Sequence, residues 1–143
     1  MGDCCSTTET KLIYSCSGVA DVGEIADRAV RKLRKEKIAQ GSCITGVGAG
    51  LSGYIESAKA ADVNITVDGC PVACSKRIME NLGLKPVSYI VTEMGFKKGK
   101  TPVTDEVIET VCENIRKDQS VKVKEQTFSI APTAGGCACG GNC

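Results

Sequence analysis

The chain of 143 residues contains no histidine. That absence excludes Ser-His-Asp and Cys-His catalysis, and with them any zinc site that mixes histidine with cysteine. An excess of charge of one sign is missing as well. Eighteen Lys and Arg stand against 17 Asp and Glu, a net charge of +1, which removes the electrostatic basis for bulk binding to nucleic acid or a membrane surface. No uninterrupted apolar run approaches the roughly 18–20 residues of a membrane span. The start, MGDCCSTTETK, lacks the apolar middle of a signal peptide, so the expected location is the cytoplasm. Apolar residues at 42% and charged residues at 24% are those of an ordinary globular chain, and the length suits one domain.

Against these absences stand ten cysteines. In a secreted chain they would suggest a disulfide scaffold. In a reducing cytosol they are metal ligands, redox groups or small core residues. Function therefore has to be sought in sulfur.

Residues 1–10 are polar, carry Cys4 and Cys5, and read as a flexible leader. Lys11–Ser15 is a strand candidate. After the turn Cys16-Ser17-Gly18, the residues Val22, Ile25, Ala26, Ala29, Val30 and Leu33 form one apolar stripe at the 3.6-residue period of a helix. Asp21 with Glu24 resembles a capping box. The basic run Arg31, Lys32, Arg34, Lys35 and Lys37 crowds the end of that helix, where its dipole favours cations, and reads as a solvated face. A second strand is expected over Ser42–Val47, then glycines and a helix from about Ser52 to Ala61. A third strand, Val63–Val67, is rich in β-branched residues and runs into Asp68-Gly69-Cys70-Pro71. Pro71 suits the first position of a helix continuing through Leu82, with Cys74, Ile78 and Leu82 in one row and Gly83 as its stop. A fourth strand over Val87–Thr92 precedes a helix from Asp105 to about Lys117, on whose core stripe Cys112 lies.

Strand and helix thus alternate four times with short connections. The expected fold is α/β, three-layered, with a mostly parallel sheet of four to five strands and helices on both faces, Rossmann-like or flavodoxin-like. The expected domain spans residues 11–118. Residues 119–143 hold an edge-strand candidate, SVKVKEQTFSIA, and a small-residue tail with Cys137, Cys139 and Cys143 that reads as flexible.

In such a sheet, ligands collect outside the carboxyl ends of the strands. Cys16 follows the first strand and Cys70 the third, with Cys74 one helical turn beyond, so these thiols converge if strands one and three are neighbours. The free N–H groups of a helix start would suit an anionic metal–thiolate cluster, with Lys76 and Arg77 screening it further. Cys43 fits less well. It lies near the beginning of the expected second strand, and only a strand ending around Ile44 would bring it to the same edge.

These residues resemble the DGC-domain family of zinc-binding proteins. The block CITGVGAGLSGYIESAKAADVNITVDGCPVACSKRIMENLGL follows the family's central region, and YSCSGVADVGEIADRAV its opening, so that the resemblance covers about Lys11 to Lys117. It implies that Cys16, Cys43, Cys70 and Cys74 are the metal ligands, and it is the resemblance that supplies Cys43. A biochemical role does not come with it.

Three functions compete. In the first, the four cysteines bind Zn2+ in a structural, sensing, storage or carrier role. Thiolate softness also admits Cu+ or an iron–sulfur cluster. In the second, a thiol redox or transfer protein uses Cys70 at a helix start as nucleophile and Cys74 as resolving partner. The tail then carries electrons, metal or sulfur to a partner protein. In the third, Gly48-x-Gly50-x-x-Gly53, with Asp68 twenty residues after Gly48, is a nucleotide-binding fingerprint for a nicotinamide or flavin cofactor.

Overall fold

The computed structural model describes residues 9–118. Residues 1–8 of the expected leader, the edge-strand candidate and the cysteine-bearing tail lie outside them. The elements follow in the order β1 Lys11–Ser15, α1 Asp21–Lys35, β2 Gln40–Gly41, α2 Ile44–Gly48, α3 Ser52–Ala60, β3 Val63–Asp68, α4 Cys74–Asn81, β4 Val87–Ile90, a 3-10 turn Val91–Met94, and α5 Asp105–Lys117.

The four strands form one sheet in the order β2-β1-β3-β4. Every pairing is parallel, with Ile13 opposite Ile65 and Val67 opposite Tyr89. Alternation along the strands sends successive side chains to opposite faces. Ile13, Ile65 and Val67 pack with α1 and α5 in the larger core. Leu12 and Tyr14 point the other way, against Ile44, Val47, Ala58 and Met79 of α2, α3 and α4. The result is the expected three-layer α/β arrangement.

The stripe read from α1 is buried as expected, with Gly23 added to it. Its start is built differently. Ala20 holds the cap position with no side-chain hydrogen bond, while the Asp21 carboxylate accepts N–H groups from Val22 at 2.8 Å, Gly99 at 2.8 Å and Thr101 at 3.0 Å. No capping box forms because Asp21 is engaged by the loop before α5. Those donors hold its carboxyl below the ordinary carboxylate range, the Gly99 N–H first among them. At the far end, Glu109 of α5 bridges Lys32 and Arg116 and is held at about 2, chiefly by the Arg116 hydrogen bond.

Three boundaries differ from the sequence reading. The second strand is Gln40–Gly41, and most of the segment expected to be a strand, Ser42–Val47, belongs to the helical turn Ile44–Gly48. Ile44 and Val47 are three residues apart and both buried against Leu12 and Tyr14, a spacing that a helix satisfies and a strand does not. The fourth strand stops at Ile90, where the 3-10 turn begins.

The helix expected from Pro71 starts at Cys74, after Ala73 in the left-handed region at φ 51°. Its start is fixed by Asp68, whose carboxylate accepts the N–H groups of Ser75 at 2.8 Å and Lys76 at 3.1 Å. The helix is rotated accordingly. Ser75 and Met79 are its buried residues, whereas Cys74 is exposed and Ile78 and Leu82 are half-buried. Gly83, at φ +76°, provides the expected stop.

Candidate functional site

The carboxyl edge of the sheet gathers the loops that carry the candidate thiols. Cys16 is the residue after β1, and its N–H donates to the Val67 carbonyl at 3.1 Å, extending the β1–β3 pairing by one bond. Its half-buried sulfur accepts the Gly69 N–H at 3.3 Å. Cys70, two residues past the end of β3, is also half-buried, and Lys98 Nζ donates to its sulfur at 3.8 Å. Cys74 is the first residue of α4 and is exposed.

Cys43 resolves the sequence-level difficulty. Because β2 ends at Gly41 and α2 begins at Ile44, Cys43 lies past the strand in the β2–α2 connection, exposed, at the same edge as the others. The order β2-β1-β3 therefore sets Cys43, Cys16 and Cys70 beyond three adjacent parallel strands.

These four thiols are free, and so is Cys112. Cys112 plays another part. It is fully buried on α5, inside the larger core, and burial raises its thiol to about 11. The four edge thiols share one rim of the sheet but are not drawn together at ligand distance. Among the described residues, no group of three His, Cys, Asp or Glu side chains is close enough to hold a metal ion.

Two features used by the competing readings are committed elsewhere. Cys70 does not open a helix, and two of the N–H groups at the start of α4 are taken by the buried Asp68. The redox reading therefore loses the helix-start donors it relied on. The glycines of the nucleotide fingerprint do not join a strand to a helix either. Gly48 ends α2, and a Cβ there would lie 3.2 Å from Ile78 Cδ1. Gly50 takes the left-handed turn at φ +75°, and Gly53 sits in the first turn of α3.

The sequence profile of the DGC-domain family matches residues 12–115. The chain belongs to the DGC-domain family. Among curated proteins, the chain is similar to the anaerobic and virulence modulator AnvM of Pseudomonas aeruginosa PAO1. The two are 31% identical over 88 residues, covering 61% of this chain and 67% of that protein. No solved structure matches.

In this DGC chain each member of the tripeptide has a separate task. Asp68 caps α4 through two backbone donors. Gly69 lets the β3–α4 loop press on the first turn of α1. A Cβ at Gly69 would stand 2.7 Å from the Gly23 nitrogen and 2.8 Å from the Val22 carbonyl carbon. Gly23 answers it from the other side, where a Cβ would lie 2.3 Å from the Gly18 carbonyl oxygen. Cys70 then leaves this backbone junction with its sulfur near Lys98. The tasks of Asp68 and Gly69 could not be read from spacing, since both depend on contacts with other elements.

The rim also carries apolar surface. The exposed large hydrophobic residues among those described are Val19, Leu51, Tyr54 and Val72. Val19 lies in the loop after Cys16, Val72 falls between Cys70 and Cys74, and Leu51 and Tyr54 flank the start of α3.

Proposed function

We propose that this chain binds a thiophilic metal ion, zinc in the simplest case, through Cys16, Cys43, Cys70 and Cys74, in a sensing, storage, carrier or structural role. The observation that carries this reading is the placement of three of these thiols beyond adjacent parallel strands, with Cys74 one loop further on. Neighbouring strands lie about 4.8 Å apart. Sulfurs bound to one tetrahedral zinc at about 2.3 Å stand roughly 3.8 Å from each other. Three adjacent strand ends span two such spacings, about 9.6 Å, so closing a shell needs converging side chains and an inward shift of the exposed Cys43 and Cys74.

The donor set fits a soft ion in kind. Four free thiols with no histidine nearby suit zinc, Cu+ or an iron–sulfur cluster, and four thiolates close the shell of zinc, leaving no position for a reacting water. The metal, once bound, would supply a cross-link between loops. The chain's own residues do the rest. Gly69 donates to the Cys16 sulfur and fixes its direction, as outer-shell donors do for metal ligands. Lys98 places a positive charge beside Cys70, where thiolate charge would accumulate.

The test is elemental analysis of anaerobically purified full-length protein, with variants. About one ion per chain is expected in the wild type and in Cys112→Ser, and a marked loss in Cys43→Ser and Cys70→Ser. A ligand present at about 100 times its Kd stabilises by about 2.7 kcal/mol, so chelation should lower the melting temperature. Equal metal content in Cys70→Ser and wild type overturns the reading. A brown protein replaces zinc with an iron–sulfur cluster.

A further inference from the structure

The β2 edge of the sheet carries a groove of about 390 Å³, within the size range of small-molecule clefts. One wall comes from α1 and the end of β1, the other from the β2–α2 connection and Tyr54. Its charge is the informative feature. Asp27 is already neutralised, accepting Arg31 Nε at 2.6 Å and the Ser15 hydroxyl at 3.1 Å. Arg28, on the same helix, pairs with Glu24 at 2.6 Å. The Arg34 guanidinium, on an exposed residue, makes no ion pair or hydrogen bond with any described side chain, so the groove keeps one uncompensated positive charge.

The stem of Arg34 passes β2 at Gly41, where a Cβ would lie 2.8 Å from Arg34 Cδ. A side chain at position 41 would push that stem aside, so the glycine leaves room for it. Opposite it, Thr45 and the exposed Cys43 line the same space, while the Ser42 side chain bonds Tyr14. Ser17 closes one end in the left-handed region at φ 50°, its hydroxyl 3.1 Å from that of Ser15. Non-glycine residues held in that conformation cluster at binding sites, where the surroundings over-determine them. The basic run of α1, read from the sequence as a solvated face, is therefore divided. Lys32 braces α5, while Arg31 and Arg34 line the groove.

We propose that this groove binds a small oxyanionic molecule, bearing a carboxylate or a phosphate, whose anionic end pairs with Arg34 and whose body lies against Cys43. The planar guanidinium fork suits both anions. Thr45 supplies a neutral donor, and Tyr54 an apolar wall. The inference does not rest on the metal, since it uses the groove and Arg34 alone. It adds that occupancy of the groove shields one of the rim thiols.

The test uses the full-length, reduced, chelator-treated protein, with inorganic phosphate and succinate as separate probes. Binding is followed by amide shifts over residues 31–45 and by the iodoacetamide alkylation rates of Cys43 and Cys74. Saturable shifts at millimolar probe and slowed alkylation of Cys43, but not of Cys74, are expected with at least one probe. Losing a charge-assisted hydrogen bond weakens binding by about tenfold or more. Arg34→Met should show that loss, and Arg28→Met, with the same charge change on the same helix, should not. Saturation by phosphate alone identifies a phosphate ligand, and by succinate alone a carboxylate. Shifts that never saturate with either probe, or an Arg34→Met protein that titrates like the wild type, overturn the proposal.

Discussion

Replacing Gly69 with alanine tests whether the central tripeptide is a backbone junction or simply a position that tolerates glycine. The added methyl would stand 2.7 Å from the Gly23 nitrogen, 2.8 Å from the Val22 carbonyl carbon and 2.9 Å from its oxygen. All three are backbone atoms of α1, so none can swing aside. Relief requires the β3–α4 loop to move away from the helix, and that movement strains two hydrogen bonds. Gly69 donates to the Cys16 sulfur at 3.3 Å, and its carbonyl accepts the Thr92 N–H at 3.3 Å. Overpacking of this kind destabilises by about 1–3 kcal/mol. Urea unfolding followed by circular dichroism reads it as a lower midpoint at unchanged slope. Gly53→Ala is the matched control. A Cβ there meets nothing within 4 Å and lies inside α3, where alanine is favoured over glycine by about 1 kcal/mol. A Gly69→Ala protein as stable as the wild type, with Gly53→Ala no better, would mean that the contact between α1 and the tripeptide contributes nothing, and the junction argument fails.

Asp68→Ala should destabilise by about 1–3 kcal/mol, since it leaves the Ser75 and Lys76 N–H groups without their acceptor. Asp68→Asn, keeping one carbonyl oxygen, should lose less, and thermal unfolding of the pair decides. Cys112 gives a high-pH signature. Its thiol is raised by burial to about 11 in the folded chain, so the unfolded chain releases that proton first. The stabilisation it contributes is complete below the unfolded value near 9, and is lost as pH rises from there toward about 11. At about 1.4 kcal/mol per unit, the difference amounts to up to about 3 kcal/mol. The wild type should therefore lose stability relative to Cys112→Val across that interval, read as a change in the difference of their denaturant midpoints, and a constant difference rejects the assignment. Asp21 acts at the opposite end of the scale. Its carboxyl is held low by the Gly99 and Thr101 amides, so its contribution is present above the ordinary carboxylate range and vanishes as pH falls through its lowered value. In Asp21→Asn the amides of Gly99 and Thr101 should exchange faster with solvent at neutral pH, and unchanged protection would show that the loop is held by something else.

What could be read in the sequence, and what could not, divides along a physical line. The α1 stripe, the β-branched run of β3, the Gly83 stop and the core position of Cys112 are local patterns with a single solution, and the structure contains them. The segment around Cys43 is different. SCITGV alternates well enough for a strand, yet Ile44 and Val47 are buried together on a helical turn because the face of the sheet offered by Leu12 and Tyr14 must be covered there. That demand is tertiary, and no window of six residues contains it. The same holds at Pro71, whose local preference for a helix start is overridden by Asp68, which takes the Ser75 and Lys76 N–H groups so that the helix starts at Cys74, three residues after Pro71.

Both errors concern where a loop ends, and both bear on the thiols. Shortening the second strand moves Cys43 onto the carboxyl edge, and delaying α4 turns Cys74 out to solvent while leaving Cys70 in the loop. The candidate ligands thus sit in connections rather than in regular elements. Connections can shift by a few ångströms without breaking a sheet ladder or a helix, which is what a site assembled only when its ion arrives requires. A rigid core that places thiols on one rim, in connections able to shift, is the arrangement the proposed site calls for.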